Sequence, residues 1–127
     1  MEIRTHNKVS EKLVGKPVLL KPNQSVIELK SCDEMVVDET GLIHGGFSFG
    51  LADYAAMLAV NHPYVVLGSA MIRFIAPVKL GETMIASAKV VEEDGKKRIV
   101  TVEVKVEEKI VLKADLTCFV LDNHVLN

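Results

Sequence analysis

Residues 41–72 read GLIHGGFSFGLADYAAMLAVNHPYVVLGSAMI, and Asp53 is the one formally charged side chain among these thirty-two residues. From Gly45 or Gly46 to about Val60 the stretch predicts a helix, closed by Asn61-His62-Pro63 because a proline cannot continue it. Its small residues (Gly46, Ser48, Gly50, Ala52, Ala55, Ala56, Ala59) and bulky ones (Phe47, Phe49, Leu51, Met57, Leu58) are spread around the wheel. A helix with no polar face is buried on most sides, and its small residues let neighbouring backbone approach closely. A carboxylate in such surroundings costs several kcal/mol unless it is paired, protonated or facing a wet pocket. Nine residues before it, His44-Gly45-Gly46 stands at the helix start, where unshielded backbone N–H groups favour an anion.

After Pro63 the chain reads as strand in four runs: Tyr64–Ile75, Thr83–Val91, Arg98–Glu107 and Ile110–Leu121. The third alternates strictly, with Val100, Val102, Val104 and Val106 on one face and Thr101, Glu103, Lys105 and Glu107 on the other. Glu92-Glu93-Asp94-Gly95 reads as a hairpin tip with the Asp-Gly signature. Together the four runs predict an antiparallel meander with one dry face. Upstream, Ser25–Leu29 reads as a short strand that joins the sheet, Asn7–Val14 as a weakly patterned short helix, and Pro17, Pro22 and Asn23 as breakers. One apolar helix and one dry sheet face imply an α+β domain spanning residues 1–127, the sheet wrapped around the helix. Open sheet edges in so apolar a chain predict at least a dimer.

Composition narrows the function. Net charge is −2 and the basic residues are interspersed with acids, so no nucleic-acid partner is expected. The N-terminus carries no apolar run of signal-peptide length and the apolar run Phe47–Val60 falls short of a bilayer span, which predicts a cytoplasmic chain with no membrane partner. Cys32 and Cys118 have neither Cys-x-x-Cys spacing nor nearby histidines, so they read as reduced thiols, and no metal or cofactor is called for.

The order Asp38, His44-Gly45-Gly46, Asp53, on a helix ahead of strands, resembles the hotdog-fold acyl-CoA thioesterases, best the branch with phenylacetyl-CoA and 4-hydroxybenzoyl-CoA thioesterases. The resemblance runs from about Met35 to Phe119, and IHGGFSFGLADYAA is its most specific part. It implies a hotdog fold and hydrolysis of an acyl-CoA or acyl-carrier thioester, with Asp53 as general base or nucleophile and the Gly45 N–H as oxyanion donor. It also implies that acid and glycine come from different subunits of a homodimer, with a tetramer as a dimer of dimers in some relatives. At the Asp38 position the family usually has Asn or Gln orienting water; here the expectation is a protonated Asp38 donating in the manner of Asn, against the alternative of a turn-capping Asp in DETG.

The chemistry asks for these residue types independently. Thioester hydrolysis develops negative charge on the carbonyl oxygen, which preorganised N–H donors stabilise, and an acid in an apolar wall can accept a proton from water or attack the carbonyl. His44 reads as a positioning residue, Gly46 and Phe47 as substrate-facing, Met57 as acyl-pocket wall and Arg73 as a candidate for coenzyme A phosphate. Two other functions fit the same outline. A hotdog hydratase or dehydratase would need an Asn-Pro-containing histidine loop that Asp38–His44 lacks, and a non-catalytic acyl-thioester sensor would tend to lack the helix acid.

Overall fold

A computed structural model of the chain describes residues 1–127. Six strands form one antiparallel sheet: β1 (Lys16–Lys21), β2 (Gln24–Lys30), β3 (Val65–Phe74), β4 (Thr83–Asp94), β5 (Lys97–Val106) and β6 (Lys109–Val120). Helix α1 (Gly45–Val60) lies chiefly against β4, β2 and β5. Val100, Val102, Val104 and Val106 of β5, Met84, Ala86 and Ala88 of β4, and Leu112, Ala114, Leu116 and Cys118 of β6 are buried beneath it, as their alternation requires. This is the hotdog architecture, α+β, with the sheet curled around one helix. The helix is not covered all round, because Phe49, Gly50 and Asp53 form a half-buried stripe and Gly46 is exposed.

Strand order is β1-β2-β4-β5-β6-β3, which corrects the four-strand meander. Of those four strands only β4, β5 and β6 are joined by hairpins; β3 sits on the far side of β6. Residues 75–82 therefore carry the chain from one side of the sheet to the other. They cross in front of the helix start, where the Ile43 N–H donates to Val78 and the Leu80 N–H to Gly41. Satisfying that backbone fixes where His44 and Gly45 stand.

Two further expectations fail near the N-terminus. Asn7–Val14 forms turns, not a helix, since too few of its residues can be buried on one face to offset the ordering entropy. Lys16–Lys21 is a strand despite Pro17, because β1 is an edge and Pro17 stands near its first residue, where a missing N–H costs little. Pro22 and Asn23 are the tip of the β1–β2 hairpin, with Asn23 left-handed at φ 65°.

Asn61 ends the helix and holds the N-terminal arm. It takes the left-handed conformation (φ 50°) that stops α1. Its side-chain oxygen accepts from the Arg4 N–H at 2.8 Å and its amide donates to the Glu2 carbonyl at 2.8 Å. Asn61→Ala should lose both bonds and keep a strained φ, costing about 2–3 kcal/mol in urea unfolding, whereas Asn61→Gly should recover about 1 kcal/mol of that.

Candidate active site

Two pockets flank α1, and the sequence-predicted residues divide between them. The first, about 530 Å3, is lined by Asp53 and Met57 of α1, by Tyr64 and Val65 where β3 begins, by Thr5, His6 and Asn7 of the N-terminal arm, and by His124 of the C-terminal tail. Asp53 Oδ1 is buried and has no hydrogen-bond partner. Burial raises the Asp53 pKa above the ordinary carboxylate value, and the charge of nearby His6 acts against that rise. Met57 is fully buried beside it. Behind it the Cys118 thiol is pushed up to about 12 by burial and by the Asp53 charge, so it is neither nucleophile nor redox centre at neutral pH.

The second pocket, about 310 Å3, is lined by Gly45 and Ser48 at the helix start and by Phe74, Ile75 and Pro77 where β3 ends. His44 caps the helix: its Nδ1 accepts the Gly46 N–H at 2.7 Å. The Phe47 N–H donates to the His44 carbonyl at 3.1 Å. The Gly45 N–H is left with no partner in the chain. Of the two glycine amides, one is spent on the cap and the other is free at the positive end of the helix dipole. Both glycines are there for space. A Cβ on Gly46 would lie 2.8 Å from the His44 ring, and one on Gly45 would lie 3.1 Å from the Phe74 ring. Phe47 packs its ring edge-on to His44 at 6.2 Å between centroids and against the core.

Gly45 and Asp53 of one chain do not share a pocket. Eight residues of helix separate them by about 12 Å, too far to hold one carbonyl between them.

Asp38 joins neither pocket. It is exposed, and its Oδ1 accepts from the Thr40 N–H (3.0 Å), the Thr40 hydroxyl (2.7 Å) and, at 3.4 Å, the Leu42 N–H. The Thr40 hydroxyl and these amides hold its pKa below the usual carboxylate range, the bonding expected of the alternative, a turn-capping Asp in DETG. Arg73 also lies outside both pockets. It lines a cavity of about 880 Å3 on the outer sheet face, with Met71, Thr101, Glu103, Lys113 and Asp115, whose lining includes neither Asp53 nor Gly45. That cavity is solvated strand surface whose Glu103 pairs with Lys113 at 3.8 Å, and it has no buried unpartnered group.

His6 is the residue the sequence reading missed. Only the arm held by Asn61 brings it to Asp53, and its place near the N-terminus gives no motif to read.

The family model of the thioesterase superfamily matches residues 40–113, which include the helix and the strand β3 but not the arm and tail residues of the Asp53 pocket. A solved but uncharacterised protein, PH1136 of Pyrococcus horikoshii, is 57% identical and superposes with a TM-score of 0.99, covering 100% of this chain and 98% of that one. Among curated proteins, methylthioribose-1-phosphate isomerase of Aquifex aeolicus is 46% identical over 96% of this chain and 27% of its own length. The transcription factor FapR of Caldanaerobacter subterraneus is 30% identical over 74% of this chain and 47% of its own length. The chain thus spans less than half the length of these curated relatives. Fold, helix motif and family match agree: the chain belongs to the thioesterase superfamily.

Proposed function

We propose that the protein hydrolyses an acyl-CoA or acyl-carrier thioester in a site built across a homodimer, Asp53 of one copy facing the Gly45 N–H of the other. The observation that carries this reading is the placement of the two pockets at opposite ends of one open strand. Asp53's pocket sits where β3 begins and Gly45's where it ends. β3 is a sheet edge and leaves Met71, Phe74 and Ile75 exposed at its end. An exposed apolar edge calls for a strand to pair with. Antiparallel pairing of β3 with its own copy about its midpoint sets Val65 of one chain near Phe74 of the other, and so brings each acid to the mate's free amide.

In that site the Gly45 N–H receives the carbonyl oxygen as it gains charge, in a place where a helix dipole adds to the field. Asp53 acts as general base toward water. Its raised pKa makes it a stronger base than a solvated carboxylate, and the polar groups around its pocket, Thr5, His6, Asn7 and His124, suit water better than an acyl chain. Water's oxygen bonds the carbonyl carbon as its proton passes to Asp53; the C–S bond then breaks and the sulfur leaves as thiolate. His44 orders the helix start and keeps the Gly46 amide out of competition. Pairing of two dimers into a tetramer and the cytoplasmic setting belong to the same reading; no helix is long and apolar enough to cross a membrane.

Incubation with short, long and aromatic acyl-CoAs, with released thiol read by a disulfide dye, tests it: turnover of at least one class is expected. The similarity to a transcription factor favours a second reading, a module that binds acyl-thioesters without cleaving them. Tight binding of the same panel with no thiol released would establish that one and sink the hydrolase.

A further inference from the structure

Residues 2–7 form an arm that the molecule holds at several points. Asn61 clamps Glu2 and Arg4, Thr5 is buried, and His6 takes a positive φ of 52°, uncommon for a residue with a Cβ. The arm so held puts an imidazole at the rim of the Asp53 pocket. The ring stays open to solvent on one side, yet the protein around it is dense enough that burial lowers its pKa below the ordinary histidine value, with the Asp53 charge acting in the opposite sense. Thr5 Oγ1 lies 2.8 Å from His6 Nδ1. That contact occupies one ring nitrogen and leaves Nε2 without a partner in the chain.

We infer that His6 is a positioning residue of the thioester-cleaving pocket, its Nε2 and the Asp53 carboxylate together orienting the attacking water. This rests on the hydrolase reading above. The water donates one hydrogen to Asp53 and the other to Nε2 of the neutral ring. As its oxygen bonds the carbonyl carbon, the first proton moves to Asp53 and, once the C–S bond has broken, on to the released thiolate, so His6 takes no net proton. Such an arrangement accounts for a polar arm being pinned over an otherwise apolar helix, and it gives the unpartnered Asp53 Oδ1 a hydrogen to accept. The other titratable or charged groups facing Asp53 are Arg4 on the arm, Tyr64 before β3, His124 on the tail and Cys118 on β6.

The test uses the full chain with His6→Ala, His6→Gln and Thr5→Val. On the best acyl-CoA of the panel, His6→Ala should lower kcat by about 10- to 100-fold with KM nearly unchanged, and should move the acid limb of kcat/KM to higher pH, because the charge that opposes the rise in the Asp53 pKa is gone. His6→Gln, which keeps a hydrogen-bonding group, should recover part of kcat; Thr5→Val should give a smaller loss in the same direction. Independently of turnover, the His6 ring proton followed by NMR should titrate at lower pH in Asp53→Asn than in the parent chain. Unchanged kcat in His6→Ala, or a His6 midpoint that Asp53→Asn does not move, overturns the inference. A parent protein that cleaves none of the panel sinks the hydrolase reading instead, and the NMR midpoint still decides whether the two side chains act on each other.

Discussion

Asp53→Asn should abolish thioester cleavage while making the protein more stable. Removing a general base costs about 100- to 10,000-fold in kcat, and asparagine, nearly the same shape, cannot take the proton. Substrate affinity should change little, since asparagine preserves the pocket's volume and the Gly45 N–H is untouched. The pH dependence of the parent chain should carry the same signature. Asp53 works only when ionised and burial raises its pKa, so activity should fall with decreasing pH at a higher pH than a solvated carboxylate would give.

Stability should move the other way for the same reason. The folded-state pKa lies above the unfolded value of 3.8, so the native protein holds that proton more readily than the unfolded chain. The charged form is thus a penalty on folding that is fully present above the folded pKa and disappears as pH falls toward 3.8. Left unpartnered in the same place, a charged carboxylate oxygen costs about 1–2 kcal/mol more than the neutral amide of asparagine. Asp53→Asn should therefore raise the Tm of a chain this size by about 3–6 °C at pH 7, with the gain shrinking to nothing near pH 4. A residue whose loss stabilises the fold and removes activity is held for chemistry. Equal or lower stability in Asp53→Asn at pH 7 would mean that the acid is paired in solution and has a structural role.

What the sequence showed and what it hid follow from the range of the interactions involved. Helix α1 and the dry faces of β4, β5 and β6 are written in local period and stand where the pattern puts them, while the hairpin turn falls on Gly95-Lys96, with Glu92, Glu93 and Asp94 drawn into β4 by pairing with β5. Strand order is a long-range property: nothing in Val65–Phe74 says that it pairs with β6 and not with its successor β4. Edge position also decided Lys16–Lys21, where a proline that would break an inner strand is tolerated. At the site, the helix start and the acid were legible because a glycine pair and a lone charge are conspicuous in apolar surroundings. Asp38 was open to two readings because its partners, Thr40 and Leu42, are so close in sequence that a turn cap and a site acid look alike. His6 was hidden because its placement depends on Asn61, fifty-five residues away in the chain, whose side chain serves as a backbone clamp.

Mixing two inactive variants should restore cleavage. Gly45→Val places a branched side chain 3.1 Å or closer to the Phe74 ring and over the free amide, blocking access to the oxyanion donor; Phe74 is exposed and can shift, so the fold should persist. Loss of one such donor is worth about 3 kcal/mol, a hundredfold or more in rate. If each site takes Asp53 from one copy and Gly45 from the other, a heterodimer of Asp53→Asn with Gly45→Val has one site carrying both lesions and one carrying neither. Unfolding the two together and refolding them at equal concentration makes half the dimers mixed, so about a quarter of parent activity should return. A site contained within one chain would give none, because every chain in the mixture is defective. The 12 Å of helix between the two residues already disfavours that arrangement. The result also ties dimerisation to catalysis: a proline at Ala70, in the middle of the open edge, should prevent β3 from pairing with its copy and abolish both dimer and turnover, as read by sedimentation and thiol release on one sample.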